Sequence, residues 1–97
     1  MLTTQGTDFL QTQIQKGLSH GTALVNGTSV KIPIQKINKK SNILQIFMYI
    51  DEAVAGRITQ YSLVMKTGHI FMTKTDNIIK DSTRGLLVLF ELETKEA

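Results

Sequence analysis

Apolar and polar side chains change their period along this chain. Leu10, Ile14 and Leu18 recur every four residues, with Phe9 beside them. That spacing predicts one amphipathic helix over about residues 4–18, with Gln11, Gln13, Gln15 and Lys16 toward water. A threonine among Thr3, Thr4 and Thr7 is placed to cap it, Asp8 to complement its N-terminal dipole, and Gly17 or Gly21 to end it. From Thr22 the period falls to two. Ala23–Val25 precedes Asn26-Gly27, the dipeptide suited to the two positive φ angles of a tight hairpin turn. Val30, Ile32 and Ile34 then alternate with Lys31, Pro33 and Gln35. Pro33 has no N–H to give to a ladder, which puts this strand at a sheet edge.

The longest apolar run is Ile43–Ile50, ILQIFMYI, broken only by Gln45. It is too short to span a membrane, and its Ile, Phe and Tyr content predicts a strand covered on both faces. Lys36, Lys39, Lys40 and Asn42 read as a polar connection into it. Downstream, Arg57–Met65 and His69–Lys74 form a hairpin about Lys66-Thr67-Gly68, and Ile78 and Ile79 sit in a polar loop. The closing strand sets Leu86, Val88, Phe90 and Leu92 on one face and Leu87, Leu89, Glu91 and Glu93 on the other. One helix followed by five or six strands on short connections predicts a mainly β (α+β) fold. Its form is an antiparallel β-sandwich, a single domain over residues 1–97, with the N-terminal helix over an open end or side.

A 97-residue chain buries roughly 60 to 65% of the surface its unfolded form exposes. A strand apolar on both faces carries more apolar surface than one thin sandwich covers, which predicts a homo-oligomer. The absence of cysteine excludes disulfides, thiolate nucleophiles and cysteine-ligated metal. The N-terminus lacks the basic start and apolar segment of a secretory signal, so a soluble cytoplasmic chain is expected. On that reading the sequon Asn26-Gly27-Thr28 is a turn.

No constellation points to a reaction. His20 and His69 share no metal-ligand spacing, and adjacent Asp51 and Glu52 point to opposite faces of an extended segment. Ser19, Ser62 and Ser82 lie in no nucleophile motif, and the glycines form no phosphate-binding loop. The expectation is a non-enzyme with no catalytic residue, cofactor or metal. The net charge of +3 is uneven: residues 1–50 carry five lysines against Asp8 alone, residues 51–97 six basic against seven acidic side chains. Lys31, Lys36, Lys39 and Lys40 are the candidate partner surface, read as a solvated basic edge that discourages strand-to-strand aggregation. The alternative is a small basic β-domain binding nucleic acid, but such binding usually adds exposed aromatics for stacking, and Phe47 and Tyr49 in the apolar run read as core. A sugar-binding sandwich is disfavoured by the absence of tryptophan.

The start MLTTQGTDFL, with Thr3, Thr4 and Gly6, and the stretch from Ile50 to Thr94, with GRITQYSLVMKTGHIFMTK and KDSTRGLLVLFELET, resemble small structural proteins of tailed bacteriophages. The likeness is to the head-proximal module of tail-collar fibres and related baseplate or tail-tip components. It covers about two thirds of the chain. The acidic, Trp-containing segment before the hairpin and the fibre shaft are missing, so a free-standing piece similar to the β-sandwich shoulder modules of receptor-binding proteins fits better. The resemblance implies a non-enzymatic virion protein of the tail tip, baseplate or host-adhesion apparatus, present in the host cytoplasm during assembly and then in the virion. It further implies contacts with other tail or baseplate proteins and a homo-oligomer, a trimer before a dimer, with no membrane or nucleic-acid partner.

Overall fold

The computed structural model describes residues 3–40 and 42–93. Met1 and Leu2 of MLTTQGTDFL and Thr94 of KDSTRGLLVLFELET lie outside the described residues. Thr3 caps α1 (Thr4–Gly17), its hydroxyl accepting the Gly6 N–H at 2.9 Å. The inward stripe of α1 differs from the Leu10–Ile14–Leu18 row. Gln11 is buried and Ile14 packs on the core, while Phe9 and Leu10 are exposed. The reason is that Leu18 already belongs to β1 (Leu18–Val25), so the chain's exit into that strand sets the rotation of the helix. Asp8 lies beyond the first turn, which holds no acidic residue, and binds Lys39 instead of complementing the dipole.

β1 pairs with β2 (Thr28–Ile32) around Asn26-Gly27, whose φ angles of 51° and 81° make the tight turn the dipeptide predicts. Pro33 interrupts the ladder, and β3 (Ile34–Lys40) continues beyond it in the other sheet. The chain therefore changes sheets at the one residue that cannot donate, and β2 and β3 are both edge strands. Lys36, Lys39 and Lys40 thus stand in a strand rather than a polar connection. Its outward residues Lys36, Asn38 and Lys40 are polar because only one face of β3 meets the core.

β4 (Ile43–Ile50) pairs with β3 and with β7 (Leu86–Glu93), while β5 (Gly56–Met65) and β6 (Ile70–Lys80) form the hairpin about residues 66–68. β6 runs on past Lys74, and Ile78 pairs with Ile58, so Ile78 and Ile79 are strand rather than loop. The first of these revisions adds a strand and the second lengthens one, giving seven strands among the described residues where the alternation suggested five or six. The sheets have orders β2-β1-β5-β6 and β3-β4-β7, antiparallel throughout.

The two sheets face one another across Ala23, Leu44, Ile46, Met48, Ile50, Ile58 and Leu63, all wholly buried. Val88 and Phe90 join this core and Leu86 and Leu92 border it, as the alternation of the closing strand requires. ILQIFMYI, however, is covered on one face only. Leu44, Ile46, Met48 and Ile50 are inside, while Ile43, Gln45 and Phe47 are half-buried and Tyr49 is exposed.

Candidate functional site

The uncovered side of β4 belongs to a larger surface, the outer face of the three-stranded sheet. With Leu44, Ile46 and Met48 inward, pleating turns Ile43, Gln45, Phe47 and Tyr49 outward. Residues directly opposite in an antiparallel pair share a face, so the register assembles this surface in rungs. They are Lys36–Phe47–Leu89, Asn38–Gln45–Glu91 and Lys40–Ile43–Glu93, with Tyr49–Leu87 at the end. Basic residues run along β3 and acidic residues along β7.

One end of the face is apolar. Leu87 is 54% exposed and Tyr49 36%, beside half-buried Phe47 and Leu89. The polar rung is tied across all three strands: Asn38 Nδ2 donates to Gln45 Oε1 at 3.2 Å, and Gln45 Nε2 to Glu91 Oε2 at 3.1 Å. The Tyr49 hydroxyl donates to Glu52 Oε1 at 3.2 Å. That bond to Glu52, with some desolvation and the charges of Glu52 and Asp51, raises the Tyr49 pKa above the ordinary phenol value. Gly85 leaves room for the ring; a β-carbon there would overlap the hydroxyl. Next to Tyr49 a shallow groove of about 300 Å³ follows the Pro33 bend, lined by Lys31, Gln35, Asp51 and Val54 among others.

The four lysines do not form one patch. Lys36 and Lys40 lie on the outer face, and Lys31 is exposed on β2, on the far side of the Pro33 bend. Lys39 opposes Leu44 on the inward side, at the open end that α1 covers, where its Nζ meets Asp8 Oδ1 at 3.3 Å and Thr12 Oγ1 at 2.9 Å. The remaining polar candidates serve local structure. His20 Nδ1 pairs with Ser19 Oγ at 2.9 Å and His69 Nδ1 with Thr67 Oγ1 at 3.1 Å. Asp51 Oδ1 accepts the Ala53 N–H at 3.0 Å within its turn, and Ser62 meets Thr73 across β5 and β6 at 3.4 Å. Among the described residues no group of three His, Cys, Asp or Glu could hold a metal ion.

Three interactions carry no signal in the sequence pattern. Lys80 is buried at the end of β6, its Nζ donating to the carbonyls of Val54 at 2.5 Å and Asp81 at 3.1 Å, which pins the turn after β4 to this strand. The buried Tyr61 hydroxyl donates to Asp76 Oδ2 at 3.0 Å. Burial first, then the bond to Asp76 and its charge, push the Tyr61 pKa well above the ordinary value. Asp81 accepts from the Thr83 hydroxyl at 2.6 Å and its N–H at 3.1 Å, bonds that favour the carboxylate and lower its pKa. The exposed apolar rungs were legible only indirectly. A central strand covered on both faces needs neighbours apolar on both faces, and the outward residues of β3 and β7 include Lys36, Asn38, Lys40, Glu91 and Glu93.

No protein-family model, curated protein or solved structure matches this chain.

Proposed function

We propose that this chain is a non-enzymatic protein of a phage tail tip, baseplate or host-adhesion apparatus and that it works through protein–protein contacts. The observation that carries the contact reading is the outer face of β3-β4-β7. It holds exposed Leu87 and Tyr49 beside Phe47 and Leu89, next to ordered polar and charged rungs. A cluster of exposed apolar groups beside ordered polar ones suits an interface, since interfaces gain most of their energy from a few buried anchors. The phage setting rests on the resemblance of the Thr3-Thr4-Gln5-Gly6 start, the β5–β6 hairpin and the closing strand to tail components. Nucleic-acid binding is less well supported, because Lys39 is engaged by Asp8 and Thr12 and the other three lysines are divided by the Pro33 bend.

The test is antibody labelling of purified particles of the encoding phage, with pull-down by its purified tail-tip proteins. Incorporation with specific capture supports the reading. Absence from particles, with co-purification of nucleic acid that is lost at about 0.2 M salt, overturns it in favour of a phosphate-binding domain.

A further inference from the structure

The charges on the outer face are not scattered; the strands sort them. On the rung farthest from the apolar end, Lys40 lies on β3 and Glu93 on β7, with Ile43 between them. One rung along, β3 offers Asn38 and β7 offers Glu91. The next places Lys36 opposite Leu89 across Phe47. Away from the apolar end the surface is therefore basic or polar along β3 and acidic along β7, while Tyr49, Leu87, Phe47 and Leu89 gather at the other end.

Such a face is complementary to itself under one particular operation. A two-fold axis parallel to β4, lying in the plane between two stacked sheets, sets β3 of one copy over β7 of the other without shifting the rungs. Lys40 then faces Glu93 of the second copy and Glu93 faces its Lys40, while the two Phe47 rings meet near the axis. Leu89 comes over the aliphatic stem of Lys36, and Tyr49 and Leu87 close the apolar end. A two-fold axis across the strands would instead stack β3 on β3 and oppose lysine to lysine. Charge selects the first arrangement, in which every contact occurs twice, as an isologous interface requires.

We propose that this face binds a second copy of the chain about a two-fold axis along β4. The inference rests on the protein-contact reading above and names one partner for it. Three strands of seven or eight residues present roughly 14 by 26 Å per copy, at about 4.8 Å between strands and 3.3 Å per residue. That is a small interface, below the roughly 1,200 Å² of standard ones, so a weak dimer is expected, fully formed only at high local concentration. A two-fold contact of this kind differs from the three-fold assembly that the phage resemblance implies.

The test uses the full chain in sedimentation equilibrium up to about 200 µM at low salt. The expected species is a dimer. Lys40→Glu and Glu93→Lys each create two like-charge pairs per dimer and raise the Kd at least about tenfold, whereas a mixture of the two variants has only opposite pairs and regains wild-type association within about threefold. Leu87→Asp abolishes association, and Lys66→Glu, exposed at the β5–β6 turn of the other sheet, leaves it unchanged. Circular dichroism on each variant separates loss of contact from loss of fold. A wild-type monomer at the highest concentration, a trimer, or a variant mixture that fails to associate overturns the proposal. Particle labelling reads the virion proposal separately, so a monomer found in virions sinks only the two-fold contact.

Discussion

Met48 in β4 occupies the space above Gly21 in the facing sheet: a β-carbon built on Gly21 would overlap the Met48 sulfur. β1 and β4 belong to different sheets, so this is where the two layers approach across the core. Glycine is required at position 21 by that approach, not by its backbone angles. Gly21→Ala forces Met48 to move within a close-packed interior and is expected to cost about 1 to 3 kcal/mol by urea denaturation. Met48→Ala leaves a cavity and costs about 2 to 5 kcal/mol alone, but the added methyl fills part of that space. The double variant is therefore expected to be less unstable than the sum of the singles, a coupling that strict additivity would refute.

Phe90 points the same way from the other flank of β4. It pairs with Ile46 and is 3% exposed, so its ring closes the core on the β7 side. Phe90→Ala is expected to cost about 3 to 5 kcal/mol, and a loss under about 1 kcal/mol would mean that the core repacks around the void.

Strand positions were legible wherever one residue's chemistry forced the choice. Asn26-Gly27 gave the first turn, Pro33 an edge, and Leu86 to Glu93 an alternation that burial reproduces. What misled was hydrophobic content read without its neighbours. ILQIFMYI looks two-faced by itself, yet Lys36, Asn38 and Lys40 on one side and Glu91 and Glu93 on the other already commit the shared outer face to water. Ile78 looked isolated among Asp76, Asn77 and Lys80, and only its partner Ile58, some twenty residues back, makes it part of a strand. Gln11 is buried on α1 because the helix docks by its exit into β1, a constraint that a helical wheel does not contain. For the candidate site, the four lysines shared a composition but not a surface, since residues 36 and 40 point outward while 39 points to the helix.

Tyr61 gives the fold an alkaline limit. Its pKa in the folded chain lies above the roughly 10 of an unfolded tyrosine. A group raised in this way contributes stability that is fully present below about pH 10 and is lost as pH climbs from there toward the folded value. Tyr61→Phe removes that titration and also the bond to Asp76, at a cost of about 1 kcal/mol at neutral pH. Denaturation midpoints measured across the alkaline range should therefore fall less steeply for Tyr61→Phe than for the wild type. Parallel slopes would show that Tyr61 is not shielded.

The helix should be the first element to open. α1 buries Gln11 and half-buries Ile14 but leaves Phe9 and Leu10 exposed, and it is further held by polar contacts. The Gly17 carbonyl accepts the Lys66 N–H at 2.8 Å at its C-terminus, and Lys39 holds Asp8 and Thr12 further back. The Lys39–Asp8 pair is partly exposed, its side chains 34% and 68% accessible, so it contributes at most about 1 kcal/mol and is screened by salt. Lys39→Met keeps the apolar stem over the open end and removes only the tether. Amide exchange across residues 4–17 is expected to quicken severalfold in this variant, while β1, β4 and β5 exchange as before and the global denaturation midpoint moves by less than about 1 kcal/mol in equivalent stability. High salt on the wild type should reproduce part of the effect, because the ion pair weakens while the Thr12 hydrogen bond persists. If exchange in the strands rises together with that of the helix, α1 is not a separate unit but part of the cooperative core, and Lys39 supports the sandwich itself.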